Sequence, residues 1–447
     1  MSGLMLWVGL LQAASAGELW WEDWGDPGIS AVVDGLIAES PDVQVAQARV
    51  RQVRAAARAS GARLGPQLSW DTSASAGPMS SLGFNFGMPS AAASEDQPTA
   101  YWTGSSALTA KMSVDLWGAG TLGWAAARDD LAASEADLRA TSATLLAAAV
   151  GAYLDLVAAT EQRAFLEEQI QAGEELLLLV QRRYDGAQAS SLDVLQQRQS
   201  LASSRAALPT LRLAERQARL NLGALLGRAP DAELPSPAQT LPELPSWDPA
   251  QEEQDLLRSR PDLRAARERA EAAHRRRLQA ERNFLPTLAI SGSAGWQYSD
   301  MGELRSQDTW SAGGAFSVPL MQMGAIHAQR SQAMALETAA EEQLRKATLE
   351  AEAGLASARS REALLGERAE AVALQREAAR LAYDQSLELY LAGLARYSEV
   401  LMARNAWQAA ELSLVSARRD RLSARIALHA AVGGTWTEAL VSRGSSR

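Results

Sequence analysis

Cysteine is absent from all 447 residues, which excludes disulfide bonds, thiol nucleophiles and cysteine-ligated zinc. Aromatic residues make up only 6% of the chain although 47% of it is hydrophobic, because alanine and leucine supply most of the apolar content. Such a composition is typical of long packed helices. An excess of basic residues is also absent. The net charge of −10 and the pI near 5.1 argue against a nucleic-acid partner.

Signals of a catalytic or metal site are scarce as well. The three histidines, His274, His327 and His429, lie far apart in the sequence and lack a metal-ligand spacing such as i, i+4. Serine is abundant, but no nucleophile elbow accompanies it. The sequence therefore predicts neither an enzyme nor a bound cofactor or metal.

Long apolar runs are not evident, and no segment reaches the roughly 20 consecutive apolar residues that a transmembrane helix needs. Leu4 to Leu11 is a short apolar core, and Ala14-Ser15-Ala16 after it has the small-x-small pattern of a cleavage site. Residues 1–16 are therefore predicted to be an export signal, although no Lys or Arg precedes its apolar core. If the protein enters a membrane, apolar helices do not carry it there.

What the chain does contain is nearly the same pattern twice. Pro41 and Pro261 each open a helical run, and the runs end near Pro66 and Pro286, so both landmarks are 220 positions apart (261 − 41 and 286 − 66). A repeat of this size is too long for a solenoid unit of about 20–50 residues. The chain is therefore predicted to be an internal duplication. Its predicted division is a signal peptide at 1–16, a first repeat at 17–228, a proline-rich linker at 229–250, a second repeat at 251–434 and a tail at 435–447.

Four segments alternate between apolar and polar residues with a period of two, which predicts β-strands. Their polar side is small and hydroxylated, and their apolar side carries aromatic residues near the ends. A length of about ten residues suits a transmembrane barrel, although a sheet packed on a soluble core gives the same alternation. The strands are predicted near residues 66–77, 102–117, 286–298 and 309–321, with polar loops at Gly77 to Tyr101 and Asp300 to Asp308.

Four strands are too few to close a barrel, and open edges in lipid would leave backbone groups unpaired at a cost of several kcal/mol each. Other copies of the chain are therefore expected to complete the sheet. The residues expected to face lipid are those on the apolar side of the second strand pair: Leu288, Ile290, Trp296, Phe316, Val318 and Leu320.

Each strand pair is followed by a very long helical stretch, Trp124 to about Tyr184 and Ala325 to Tyr390. Some sixty helical residues extend roughly 90 Å. Leucines at heptad spacing predict a coiled-coil-like pattern. A second helix follows each stretch, Leu192 to Leu226 and Tyr397 to Val432, and a glycine ends each one.

Two strands and a long helical hairpin, present twice with Pro-Asp opening each half, resemble the TolC family of outer-membrane efflux proteins. The resemblance covers the chain from about Pro41 to Gly434. Its most specific stretches are Arg260-Pro261-Asp262 running to Asn283-Phe284-Leu285-Pro286, Tyr184-Asp185-Gly186-Ala187 before Leu192-Asp193-Val194-Leu195, and Tyr390-Leu391-Ala392-Gly393 before Glu399-Val400-Leu401.

The resemblance implies a mixed α and β membrane protein in the outer membrane of a Gram-negative bacterium. Three copies would close one 12-stranded transmembrane β-barrel, and their helices would form a periplasmic tunnel about 100 Å long. It also implies a passive duct that exports small molecules. An inner-membrane pump would supply the energy, and a periplasmic adaptor would dock on the helical tips.

The resemblance further implies a periplasmic gate. Asp193 and Glu399 fall where family members place acids near the constriction, and Tyr390 matches an aromatic residue that helps to hold the gate shut. Arg396 is the local basic residue, shifted by one place, and Met402 departs from the family at a second acidic position. A ring of carboxylates would favour cations. The alternative for either acid is a helix N-terminal residue stabilised by the helix dipole.

The tips that would meet the adaptor are also implied by the resemblance. Their glycines have an alternative role as ordinary turn residues. The tip residues are Gly186, Ala187, Gln188, Gly393, Leu394 and Ala395.

Two other functions compete with small-molecule efflux. The same duct could serve type I protein secretion, which differs in its pump and cargo. A non-pore, exported coiled-coil structural protein is the second alternative, and it would leave the apolar faces of the four strands unexplained.

Overall fold

The computed structural model describes residues 19–78, 100–245, 260–300, 304–319 and 322–433. The predicted signal peptide, nearly all of the first loop and the tail lie outside these ranges. The elements are α1 Pro27–Glu39, α2 Pro41–Ala62, β1 Gln67–Pro78, β2 Ala100–Val114, α3 Ala119–Asp185, α4 Ser191–Leu225, α5 Pro261–Arg282, β3 Thr287–Asp300, β4 Leu304–Ser317, α6 Met323–Leu391 and α7 Tyr397–Val432.

The chain divides into two compact units, and each takes residues from both sequence repeats. The helical unit comprises Met1–Arg49, Glu135–Ala265 and Arg345–Arg447, and the sheet unit comprises Val50–Ser134 and Ala266–Leu344. Equivalent elements of the two repeats therefore fold together rather than as successive domains.

The sheet unit contains one antiparallel sheet in the order β1-β2-β3-β4. Trp70 lies opposite Leu108, Leu108 lies opposite Ala294, and Ala294 lies opposite Trp310. Since residues directly opposite each other share a face, this register puts the even-numbered residues of all four strands on one side. In a single chain β1 and β4 are the two edges of this sheet.

The predicted boundaries of two strands are wrong. The second strand ends at Val114 rather than near 117, because the Asp115 carboxylate accepts hydrogen bonds from the Gly120 and Thr121 amides (3.0 and 2.7 Å) and turns the chain into α3. The fourth strand is Leu304–Ser317 rather than 309–321. Pro319, which has no N–H to donate, stops the ladder at its end.

The earlier start of β4 also corrects the predicted loop at Asp300 to Asp308. Asp300 pairs with Leu304, and Asp308 pairs with Trp296, so much of that segment is strand. Of the residues expected to face lipid, Val318 follows the end of β4, and Leu320 lies outside the described residues.

The core of the helical unit is built around the middle of α3. Leu146, Val150, Leu154 and Val157 are fully buried there, in one cluster with side chains of α1. Among the described helices, α3 contains a stretch apolar enough to cross a membrane by composition, which the sequence analysis overlooked. Since 56% of that stretch is buried inside the protein, packing in the core of the helical unit accounts for its apolar character.

The duplication is visible at the helix ends. Gly227 after α4 and Gly433 after α7 both have φ of +73°, which confirms the predicted glycine stops. A Cβ on Gly227 would lie 2.5 Å from Pro41, and one on Gly433 would lie 3.0 Å from Arg260, the residue before Pro261. Each glycine therefore lets the end of its repeat pack on the beginning of the same repeat.

The stability of the helical unit should decrease in acid because of His429. This side chain is buried on α7, and its ring stacks on Trp20 with centroids 4.9 Å apart. Burial, and then the charge of Arg425, lower the pKa of His429 to about 3 from 6.5. Below pH 6.5, His429 binds a proton in the unfolded chain but not in the folded chain. The free energy of unfolding is therefore highest above that pH as far as this group is concerned. It should fall by about 1.4 kcal/mol for each pH unit down to about 3.

Thermal melting between pH 7 and pH 4 would measure this effect. His429→Phe should flatten the pH dependence, whereas the change His327→Gln at an exposed histidine should not. Equal pH slopes for the wild type and His429→Phe would contradict the prediction.

Candidate functional site

The turns between α3 and α4 and between α6 and α7 have the same hydrogen bonds. The backbone N–H of Gln188 donates to the backbone carbonyl of Arg183 (2.7 Å), and the backbone N–H of Leu394 donates to that of Leu389 (2.8 Å). These bonds across five residues are the mark of a Schellman motif, which needs a left-handed residue one position earlier. That residue is Ala187 (φ +56°) in the first turn and Gly393 (φ +77°) in the second.

Both glycines lie in their turns, as the alternative role predicted, but only Gly393 holds the left-handed position; in the first turn Ala187 holds it instead of Gly186. Alanine adopts the left-handed conformation less readily than glycine, so the first turn holds a mildly strained residue. All the tip residues are exposed except Ala395, which is half-buried, and Leu394 is 76% exposed. The predicted adaptor-contacting residues thus lie at the surface of the chain.

Asp193 and Glu399 occupy the same position of α4 and α7 but differ in their contacts. Asp193 forms a capping box with Ser190: its carboxylate accepts from the Ser190 amide (2.9 Å), and its amide donates to the Ser190 hydroxyl (3.2 Å). Asp193 therefore acts as an acid at the N-terminus of α4, which is the alternative role considered for it. Glu399 is exposed, and its side chain makes no hydrogen bond or ion pair with any residue that the structure describes.

Tyr390 lies in a buried cluster at the same end of the helices. The ring centroids of Tyr390 and Tyr397 are 5.1 Å apart. The guanidinium of Arg183 also contacts the Tyr390 ring, 5.0 Å from its centroid. Burial, and then the nearby charge of Asp193, raise the pKa of Tyr390. Its hydroxyl has no hydrogen-bond partner among the described residues although it is buried.

The structure thus brings two of the four predicted gate residues near each other, Asp193 and Tyr390. Arg396 precedes α7 as its N-cap residue, is exposed, and makes no side-chain capping bond. The sequence analysis missed Arg183, which also donates to the Leu391 carbonyl (3.0 Å) and so connects α3 to the second turn.

A buried set of polar side chains and backbone carbonyls, which the sequence-based predictions did not include, lies just behind the turns. It is here named the polar seam and comprises Gln169, Gly173, Gln197, Tyr397 and Arg404. The Tyr397 hydroxyl donates to Gln197 Oε1 (2.6 Å), and Gln197 Nε2 donates to the Gly173 carbonyl (2.7 Å). Arg404 donates to the Gln169 carbonyl (2.7 Å). The polar seam joins α3 and α4 of the first repeat to α7 of the second.

One signal for the polar seam was present in the sequence. Tyr397, Val400 and Arg404 follow the i, i+3, i+7 spacing of a buried helix stripe, so Arg404 falls where an apolar residue is expected. It is only 1% exposed. The identity of its partner on α3 could not be read from that spacing.

The sheet unit has one apolar and one polar face. Large apolar side chains lie on the face formed by the even-numbered residues. Trp310 on this face is 82% exposed. The odd-numbered face carries cross-strand hydroxyl pairs: Ser73 with Ser105 (2.8 Å) and Ser293 with Ser311 (2.9 Å). Of the residues expected to face lipid, those within strands share the apolar face: Leu288, Ile290, Trp296 and Phe316.

Groups that could hold a metal are not found in the described part of the chain, where no three His, Asp or Glu side chains converge. The geometry therefore offers packing, charge and two-faced strands rather than a reaction centre.

Comparison with known proteins gives one consistent result. A profile of the outer membrane efflux protein family matches residues 32–228 and 253–434. The chain is 30% identical over 426 residues to the pyoverdine export outer membrane protein OpmQ of Pseudomonas aeruginosa, covering 93% of this chain and 87% of that protein.

Solved structures agree in fold. The outer-membrane channel OprN superposes with a TM-score of 0.78 at 26% identity, covering 94% of this chain and 93% of that one. The Campylobacter jejuni CmeC outer membrane channel superposes with a TM-score of 0.83 at 19% identity, covering 96% and 93%.

Proposed function

Since the chain belongs to the outer membrane efflux protein family, we propose that it forms a passive homotrimeric duct, which exports small molecules together with an inner-membrane pump and a periplasmic adaptor. Membership makes it an efflux channel of the outer membrane and not an enzyme. The trimer, the partners and the passive mechanism are the further steps of the proposal.

The observation that supports the trimer is the two-faced sheet with two free edges. Because the sheet has four antiparallel strands, β1 and β4 run in opposite directions. The β4 edge of one copy can therefore pair antiparallel with the β1 edge of the next. Three copies would give 12 strands, within the even-numbered range of outer-membrane barrels. The apolar face would then contact lipid, and the hydroxylated face would line the lumen.

Small-molecule cargo is favoured over protein secretion by the relative named for pyoverdine export. A non-pore structural protein would have no use for a sheet whose apolar face bears side chains as exposed as Trp310. The exposed turns around Gly186 and Gly393 offer the adaptor a surface, and the cluster around Tyr390 behind them is suited to hold a gate.

The gate proposal predicts a change in ion conduction. Asp193→Asn retains an acceptor for the Ser190 amide, so together with Glu399→Gln it removes charge without removing the cap. In planar bilayers this double variant should conduct more current per channel, because the two acids no longer hold the gate shut. It should also select cations less strongly, because fewer carboxylates concentrate positive ions at the mouth.

The matched control is Asp185→Asn with Glu388→Gln, which neutralises two exposed acids beside the same turns. It should leave the single-channel current unchanged. Unaltered current and selectivity in the Asp193→Asn, Glu399→Gln variant would remove both acids from the gate.

A further inference from the structure

A cavity of about 560 Å³ lies within the sheet unit, where the strands end and the helices begin. The strand residues that line the cavity are mainly residues of the polar face: Ser113, Thr287 and Ser317. Leu288 and Phe316, their neighbours on the apolar face, do not line it. The cavity therefore belongs to the polar side of the sheet, and its volume is in the range of small-molecule sites.

The charge of the cavity is opposite to that of the chain as a whole. Two arginines, Arg63 and Arg282, line it together with a single acid, Asp115. Both carboxylate oxygens of Asp115 already accept backbone N–H bonds from α3. In a chain with a net charge of −10, this cavity is cationic.

The two arginines are held differently. Arg282 donates to the Trp117 carbonyl, which fixes its guanidinium at the junction of β2 and α3. Arg63 makes no hydrogen bond or ion pair with any residue in the described ranges, and its five N–H donors remain available. Lys111, one of only two lysines in the chain, lies two residues from Ser113 on the same face, about 7 Å along the strand.

We propose that this cavity binds an oxyanion, the carboxylate or phosphate group of a small solute, with Arg63 as its principal ligand and Arg282 as a second, prepositioned donor. A guanidinium matches the two oxygens of such a group with two parallel hydrogen bonds. Lys111 adds positive charge on the approach along the polar face. The site lies within one chain and requires neither three copies nor a transport step.

Equilibrium dialysis of the purified full-length protein in detergent, against radiolabelled citrate at low ionic strength, tests the site. The wild type should bind citrate saturably, at one site per chain. Arg63→Gln should weaken this binding tenfold or more. Arg58→Gln is the matched control, since Arg58 is an exposed arginine on α2, five residues before Arg63, and does not line the cavity. It should bind as the wild type does.

Phosphorus analysis of the same preparations distinguishes the source of the oxyanion. Equal phosphorus in the wild type and Arg63→Gln, with weaker citrate binding in the variant, supports a soluble solute. One lipid phosphate per chain that is lost in Arg63→Gln supports the same site with a lipid headgroup as its occupant. Equal citrate binding and equal phosphorus in both would overturn the proposal. Neither measurement depends on current, so this failure would leave the duct function untouched.

Discussion

Replacing Ile290 by arginine is expected to abolish assembly in the outer membrane, whereas arginine at the adjacent Ala289 should leave assembly intact. Ile290 is 50% exposed on the apolar face, and its cross-strand neighbours are Met112 and Gly314. An arginine facing lipid costs about 2–4 kcal/mol at mid-bilayer and less towards either interface, and a trimer would incur that cost in each copy.

Ala289 is a closely matched control because it precedes Ile290 in β3 and lies on the other face of the sheet. Its cross-strand neighbours are Ser113 and Ala315. Both variants add the same side chain to the same strand, so they differ only in the environment of the charge. Membrane fractionation followed by native electrophoresis would measure the trimer yield. Equal yields from the two variants would mean that the apolar face does not contact lipid.

The second large effect is expected at the polar seam. Gln197→Leu should destabilise the helical unit and raise the leak current, because it leaves the Tyr397 hydroxyl without its acceptor and removes the side-chain donor to the Gly173 carbonyl. Each buried group left unsatisfied costs about 1–3 kcal/mol. Gln197 is fully buried, so water does not replace the lost bonds. Thermal melting and single-channel recording would measure the two consequences.

Gln199→Leu provides the matched control, since Gln199 is exposed on the same helix two residues away. It should melt as the wild type does. Adding Tyr397→Phe to Gln197→Leu removes the unsatisfied hydroxyl, so the double variant should recover part of the lost stability. If Gln197→Leu and Gln199→Leu melt alike, the polar seam does not hold the two repeats together.

The strands show how far local pattern reaches. Alternation alone separated Ile290 from Ser291 correctly as residues of opposite faces, because the period of two is a property of any extended chain. The start of β4 was missed because residues 304–308 include polar side chains typical of a loop, yet they pair along β3. Pairing with a neighbour strand, rather than composition, makes that segment a strand.

The helix turns contain one feature that a local sequence pattern predicts and one that it does not. Asp193 and Glu399 are equivalent in sequence, but only the first has a serine three residues earlier that completes a capping box. That difference is local and could have been read from Ser190 and Arg396. The contact of Arg183 with the Tyr390 ring joins residues more than 200 positions apart, and no local pattern carries it.

The duplication, the long helices, the four two-faced strands and the family could be read from the sequence, since all of these depend on periodicities and spacings along one stretch of chain. The register of the sheet, the partners of Gln197 and Arg404, and the cationic cavity near Arg63 depend on the packing of segments that are distant in the sequence. A polar side chain has the same helical or strand preference whether it is buried or exposed. Which side chains lose water, and which groups then replace it, depends on elements that meet only after the chain has folded.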